Sequence, residues 1–481
     1  IGGVLTMRLP STVAPNLNFG FTYNKGASFN RQYAGTIGLQ NSLSNYIAGV
    51  ANSSGPNGGP LYVGDLTPTQ DNPNFNPYFP NEGYEGAPWL PILGYSGYLI
   101  TPSGEGEDTQ WFGQWGEGTS GMGNFLVQEK GSLDEFNIAI GGNLANVVYW
   151  GMNFDIINFN YTQNAFWGEQ LNNAYVPTDN DQTVRTSADW TMQNYYNVSG
   201  SGFKYEIGVI FKPIQEFRLG LAFHTPTWYN MTETFGANIN YNYGGTQTGT
   251  VYTNTDPRTN DHRLATNDMC FRSPMKFIAS AAGVIGNSFI LSLDYEWTPY
   301  SKMKFSQAGS YGSGSSWDYD DYYYPWWYGS SPSMPQAPAT RSSFQDYDSF
   351  YYTNEDIKTY YQATNTVRIG AEYRITPNFS VRAGYSHVSS PVKQEVRDNK
   401  EFIYTSGTMP NYRLDNQTNY VTCGAGYRGN HFYVDLAYVY KNMQSEYHAF
   451  SPDVAKDAIP SPQSKLSLTN NQLVLTAGYR F

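Results

Sequence analysis

Charged side chains that recur on one parity of an alternating run are the first residues in this sequence able to do chemistry. Arg368, Glu372 and Arg374 share one face of the run from Val367 to Ile375, and Arg382 lies on the matching face of the run from Phe379 to Tyr385. Asp294 and Glu296 do the same between Phe289 and Trp297. Gathered on one wall, such groups make either a salt-bridge network that ties the wall to another part of the molecule, or an anion site. Guanidinium groups grip a carboxylate in bidentate fashion, so a carboxylate head group would suit the second use.

Other reactive types carry less. The five histidines are scattered, and His224 and His387 have no Ser or carboxylate partner at a recognisable spacing. Asp318, Asp320 and Asp321 lie close together, but the fixed spacing and ligand set of a calcium loop are missing. GTSGMG at 118–123 is a glycine cluster with no strand leading into it, unlike a hydrolase elbow. With no metal-ligand cluster, phosphate loop or nucleophile motif, neither a metal, a cofactor nor an enzyme is expected. Cys270 and Cys423 read as two unpaired thiols, with one disulfide as the alternative.

The elements that must position these groups are strands. Leu473, Leu475, Ala477, Tyr479 and Phe481 fall on one face of the last run, and Val474, Thr476, Gly478 and Arg480 on the other. Hairpins repeat this alternation. Phe203–Phe211 leads through a short turn into Phe217–Phe223, Val367–Ile375 into Phe379–Tyr385, and Phe432–Tyr440 continues the pattern. Mean hydropathy is negative, and no apolar run approaches the roughly 20 residues of a membrane helix. Barrel strands need only about 10 residues with every second one apolar. The 42 Tyr and 11 Trp suit interfacial girdles, and the 48 Gly suit turns. A formal charge of −12 argues against nucleic acid as a partner.

Short connections near 10–15, 142–147, 213–216, 286–288, 376–378 and 429–431 alternate with long ones, the longest from about Ala34 to Leu133. Short turns on one side and long loops on the other are the outer-membrane pattern, with the short turns periplasmic. The expectation is therefore one domain over 1–481: an all-β, transmembrane antiparallel barrel, integral to the outer membrane of a Gram-negative bacterium. Strand starts number about 13, and because bacterial barrels are even-numbered we expect about 14, with one upward strand upstream of Ile1. The Met192–Val198 stretch reads either as a separate strand or as part of a long Phe203 strand. The terminal Phe481 resembles the signal by which barrels are recognised for assembly.

Segments 202–213 (GFKYEIGVIFKP), 217–229 (FRLGLAFHTPTWY), 273–286 (SPMKFIASAAGVIG), 289–305 (FILSLDYEWTPYSKMKF) and 365–393, in that order, resemble the FadL/TodX family of hydrophobic-compound transporters in its Bacteroidota form. The resemblance implies passive uptake of fatty acids, aromatic hydrocarbons or similar apolar molecules, caught by outer loops and released sideways through the wall. It also implies an N-terminal hatch carrying Asn-Pro-Ala. That element is not found here, and is expected upstream of Ile1. The family's lateral gap arises from a kinked third strand, which here is Leu17–Tyr33, with Gly26 and Ala27 as the kink. A glycine near a strand end is the plainer account of Gly26.

The long loop supplies candidate ligand-binding residues. Leu39, Leu43, Tyr46, Ile47 and Val50 recur at helical spacing. WLPILGYSGYLI at 89–100 is unusually apolar, and Trp111 and Phe112 follow. Leu39, Leu43, Trp89, Leu90, Leu93, Tyr95, Tyr98, Leu99, Trp111 and Phe112 read as a greasy capture groove or as the loop's own small core. A second aromatic loop, WDYDDYYYPWWYG at 317–329, reads as a cap, a partner surface or simple loop packing. Expected partners are outer-membrane lipid and lipopolysaccharide and an apolar small molecule. The alternative function is a non-transporting barrel kept as a subunit of an outer-membrane secretion or assembly complex, its partners then being other outer-membrane proteins.

Overall fold

The computed structural model describes residues 1–55, 58–68, 75–78, 87–104, 106–178, 183–245, 247–253, 264–286, 288–308, 350–398, 403, 405, 407–452 and 461–479. The Tyr-rich loop at 317–329, with Asp318, Asp320 and Asp321, lies outside the described residues, as does Phe481.

In chain order the elements begin with β1 (Gly2–Arg8), β2 (Asn16–Ser28) and β3 (Arg31–Gly38). An insertion follows, made of α1 (Leu43–Ala51), α2 (Val63–Leu66), α3 (Trp89–Ser96) and the small ribbon β4 (Ile100–Ser103) with β5 (Gln110–Gly113). Then come β6 (Ser120–Leu144), β7 (Val148–Pro177), β8 (Thr183–Ile214), β9 (Phe217–His224), β10 (Trp228–Tyr243) and β11 (Gln247–Tyr252). Next are β12 (Ala265–Arg272), β13 (Lys276–Ile285), β14 (Phe289–Pro299), β15 (Lys304–Gln307) and α4 (Tyr351–Tyr360). The chain closes with β16 (Ala363–Arg374), β17 (Phe379–Val388), α5 (Gln394–Arg397), β18 (Tyr412–Arg428), β19 (Phe432–His448) and β20 (Gln463–Tyr479).

All strands except β4 and β5 join one antiparallel sheet. Several are successive pieces of one line. β2 and β3 both pair with β6, and β9 and β10 both pair with β8. β12 and β13 continue each other beside them, as do β14 and β15. Pro226 and Pro274 lie in two of the breaks, where a residue without an N–H cannot serve the ladder. The fold is a transmembrane antiparallel β-barrel, and no helix of the described residues is long and apolar enough to cross a membrane.

Strand length is very uneven around the wall. β7 and β8 run for 30 and 32 residues, β16 and β17 for 12 and 10. A span needs about 10 residues. β6, β7, β8 and β10 therefore rise far above the membrane on one side. The Met192–Val198 stretch belongs to the single long β8.

The side chains show where the membrane ends. On β7 the outward face reads Met152, Phe154, Ile156 and then Asn158, Asn160, Thr162, Asn164. On β8 it reads Val209, Ile207, Tyr205, Phe203 and then Ser201, Ser199, Asn197. The two switches are in register, Ile156 opposite Phe203 and Asn158 opposite Ser201. On β6 the step is Phe136 to Asp134, opposite Ile156 and Asn158; on β10 it is Trp228 to Asn230, opposite Phe203 and Ser201. Tyr23, Phe136, Phe203, Tyr205 and Trp228 form an aromatic girdle at this level.

The inward face changes in the opposite sense. On β7, Asn153 and Asp155 give way to Ile157, Phe159, Tyr161, Ala165 and Trp167, with Gln163 among them; on β8, Glu206 and Lys204 give way to Val198, Tyr196, Met192 and Trp190, with Asn194 among them. Lipid wants an apolar outside, which leaves polar residues for the lumen. Water wants a polar outside, which leaves the interior to be filled by apolar packing. One strand satisfies both solvents by inverting its pattern where it leaves the bilayer. This inversion hid residues 120–132 from the alternation reading. The insertion between the strand lines is consequently shorter than the expected 34–133: β3 continues to Gly38 and β6 begins at Ser120.

Candidate functional site

At membrane depth the lumen holds separate groups of paired charges. Arg368 Nη2 lies 2.7 Å from Glu296 Oε2, and Lys276 Nζ lies 3.7 Å from Glu296 Oε1. Arg382 donates to Glu372 and to Asp435, each at 2.7 Å. Asp294 is opposite Arg368 in register, yet Arg368 reaches for Glu296. Arg374 stands exposed at the short-turn end, outside both groups. The expected sector is thus two ion-pair groups, joined by Lys276 and Asp435. Between them is a cavity of about 470 Å³ lined by small residues, among them Ser292, Gly370, Gly384, Gly424 and Ala437.

A third group lay beyond the reach of sequence spacing. Lys204 Nζ lies 2.8 Å from Glu206, 3.5 Å from Glu135 and 3.7 Å from Asp155, and His224 Nδ1 lies 3.0 Å from Glu206. His224 therefore has a carboxylate partner, contrary to expectation. Cross-strand register supplies it, Glu206 pairing with His224 between β8 and β9. Asn137 bonds Asp155 and accepts from Thr22 and Asn24 on β2. His387 meets Asn419 at 2.9 Å. Both cysteines are free. Among the described residues no group of acids, His and Cys is placed to hold a metal.

Above the girdle the interior is largely apolar, with the buried Glu233 accepting from Tyr196 and Asn267. Val198, Met231 and Met269 are buried there, with Phe159, Tyr161, Tyr229, Phe271 and Phe305 packed around them. Phe159 meets Tyr229 edge-on at 5.3 Å, and Phe271 lies 4.7 Å from Phe305. To one side Glu129 is held between Arg31, Arg413 and the hydroxyl of Tyr161.

Higher still sits the insertion. The helical spacing at Leu43–Val50 forms α1, and Trp89–Ser96 forms α3. Leu43, Leu93 and Leu99 are 0% exposed, Trp89 and Trp111 2%, Leu90 6% and Leu39 9%. These residues are the packed core of a cap, the second of the two readings their apolarity allowed. Apolar helix faces and the apolar inner face of the extended strands bury one another. Tyr95 and Tyr98 pack against the core, edge-on to Trp111 at 5.3 Å and to Tyr241 at 5.6 Å. Phe112, on the outer side of β5, is exposed.

Glu169 of β7 fastens the cap to the wall. Its carboxylate accepts from Ser42 Oγ at 2.5 Å, from the Leu43 N–H at 2.8 Å and from Trp167 Nε1 at 2.9 Å. It thus serves the N-terminus of α1, where N–H groups lack helical partners. Burial pushes its pKa up to about 7 against these three donors. At the top of β19, burial lowers the pKa of His448 to about 4.

The wall is irregular beside this lumen. Register slips by one residue between Lys25 and Ala27, leaving Gly26 as a bulge, and the line breaks again at Phe29–Asn30. A Cβ on Gly26 would lie 2.8 Å from Leu133 Cδ2 and 3.0 Å from Glu135 Cδ. Across the break, Gly131 takes φ +135, and a Cβ there would run into the Asn160 carbonyl. Outward parity passes from Phe19, Phe21 and Tyr23 to Gln32, Ala34 and Thr36, as a single inserted residue requires.

Residues 151–481 match the model of the outer membrane protein transport protein family (OMPP1/FadL/TodX). The chain belongs to this family. Its place is accordingly the outer membrane, and the family is one of transporters of hydrophobic compounds. Solved structures similar to the chain include a Pseudomonas aeruginosa FadL homologue, at 14% identity over 95% of this chain and 100% of that one, TM-score 0.39. The Ralstonia pickettii toluene transporter TbuX is similar at 12% identity over 79% and 84%, TM-score 0.30, and the P. putida toluene transporter TodX at 10% over 78% and 81%, TM-score 0.35. No curated protein sequence matches the chain.

Proposed function

We propose that the barrel takes up apolar small molecules passively, of the fatty-acid or aromatic-hydrocarbon class, and passes them sideways into the membrane. The observation that carries this reading is the reversal of lumen polarity at the girdle. An apolar solute partitions favourably into the Met- and ring-lined interior above the membrane. Below it meets Glu135, Asp155, Lys204 and Glu206, and passing these charges would cost it the interior's apolar contacts. The bulge at Gly26 lies beside that boundary, where Lys25 pairs with Asp134 one step above the last outward ring pair, Tyr23 and Phe136. A solute stopped at the charged level has its exit there, into the outer leaflet. Entry runs through the cap, whose packed core must part to admit it, with Glu169 as the fastening.

The test measures uptake of palmitate and of toluene by cells producing the protein, with mass spectrometry of what the washed protein retains. Uptake above vector control, and an apolar molecule held in stoichiometric amount, are expected. An empty protein that arrives with fixed protein partners and adds nothing to uptake would sink the proposal and favour a subunit of a secretion or assembly complex.

A further inference from the structure

The outward face of the extension has a composition that neither folding nor transport of apolar solutes demands. On β7 the outward positions above the girdle run from Asn158 to Asn172, on β8 from Ser201 up to Ser187, and on β10 from Asn230 to Asn242. At these outward positions of the three strands Asp189 alone carries a charge; Asp134 and Lys130 of β6 and Asp268 of β12 flank them. Hydrated protein surfaces usually hold roughly 25–35% charged residues, so plain solvation does not account for a face of this size made almost wholly of Asn, Gln, Ser and Thr. The strands pair without a register shift across it, from Asn158 opposite Ser201 to Gln170 opposite Asp189, and from Asn230 opposite Ser201 to Asn242 opposite Asp189. It is therefore a continuous sheet surface. Asn158, Asn160 and Asn242 are exposed there, and amides offer two donors and an acceptor each. Phe166 and Tyr195 supply rings within the amide field, near Gly168 and Gly236, which have no side chains to crowd them.

The position of the face is fixed. It begins one residue pair above the girdle and is continuous with the lipid-facing band, so it stands in the layer that the head groups of the outer leaflet occupy. From Asn158 to Asn172 β7 climbs roughly 45 Å along its own line, far more than a phosphate layer alone would need. Neutral amides and hydroxyls recognise sugar hydroxyls, and aromatic rings pack on the apolar face of a sugar ring. Phosphate and carboxylate partners call for Arg and Lys, which the outward positions of β7, β8 and β10 lack, Lys130 standing beside them on β6.

We propose that the outward face of β7, β8 and β10 above the girdle binds the neutral saccharide of the glycolipid surrounding the barrel in its own outer leaflet. The glycolipid chain lies along the sheet, its hydroxyls on the Asn and Thr rows and a sugar ring on Tyr195. The lipid anchor stays against the apolar band below, so one molecule is held at both ends.

Native mass spectrometry of the full chain in mild detergent tests this. The probes are purified lipopolysaccharide with its long saccharide and the same lipid stripped to its acylated, phosphorylated anchor. The long form should be retained about fivefold better than the anchor, and Asn158→Ala with Asn160→Ala and Tyr195→Ser should remove that preference while leaving anchor retention unchanged. Tyr195→Phe, which keeps the ring, should retain most of it. A thermal unfolding curve for each variant in the same detergent establishes that the barrel is intact. Equal retention of the two lipids, an unaltered preference in the intact triple variant, or a protein found seated on this face in place of the lipid would each overturn the proposal.

Discussion

Phe125 on β6 and Tyr447 on β19 stack with their ring centroids 4.1 Å apart and 17° between their planes. The two strands share no hydrogen bonds with each other, so the contact crosses the interior of the extension. Tyr33 on β3 meets Tyr447 edge-on at 6.2 Å, and Arg413 on β18 reaches over Tyr33 and toward Glu129. These side chains join walls that the hydrogen-bond ladder leaves apart. Tyr447→Ala should therefore cost about 3 kcal/mol, by cavity formation and loss of the stacked pair. Denaturant unfolding in detergent measures the loss, and limited proteolysis should find the cap cut sooner. An unchanged midpoint would mean that the stack does not brace the extension.

Glu169 and His448 give the cap opposing pH dependences. A carboxyl raised to about 7 on folding holds its proton in the native state where the unfolded chain has lost it, so its contribution to stability falls as pH rises from about 4.5 to 7. An imidazole lowered to about 4 loses stability as pH falls from about 6.5 toward 4. Compared with the unaltered protein, Glu169→Gln should become relatively more stable as pH rises across the first window. His448→Asn should gain relative stability as pH falls across the second. Melting curves at half-unit intervals check both, and parallel pH profiles for protein and variant would contradict the assignment.

Arg382 bridges two carboxylates in a lumen open to water, and such exposed pairs contribute at most about 1 kcal/mol. Its removal should matter more to the field of the lumen. Arg382→Met leaves Glu372 and Asp435 unpaired beside the cavity, and the reversal potential across a planar bilayer should move toward greater cation selectivity with little change in unfolding. A large loss of stability with no change in selectivity would make the pair structural.

Gly26→Val places branched carbons against Leu133 and Glu135 at the wall's bulge. If solute leaves there, uptake should drop several-fold while the amount of folded protein in the membrane stays the same. Heat-modified mobility on gels reports folding, and unchanged uptake in well-folded variant would place the exit elsewhere.

The sequence by itself determined the barrel, its hairpins and its short-turn side. Within the bilayer each strand keeps one phase of alternation, and lipid enforces that phase without reference to neighbours, so Phe203–Phe211 and Val367–Ile375 are legible alone. The α1 helix was legible from the helical spacing of Leu43, Ile47 and Val50 alone. Tertiary structure decided the rest. Above the girdle the apolar face turns inward because water replaces lipid, and only the partner strand in register shows that Asn158 and Ser201 lie at one height. Burial of Trp89, Leu93 and Trp111 could not be read from their apolarity, since a groove and a core ask for the same residues. The Glu206–His224 pair, the Arg382–Asp435 pair and the Glu169 fastening all join residues distant in sequence. Their partners are chosen by strand register and by the packing of the cap, neither of which leaves a mark in local spacing.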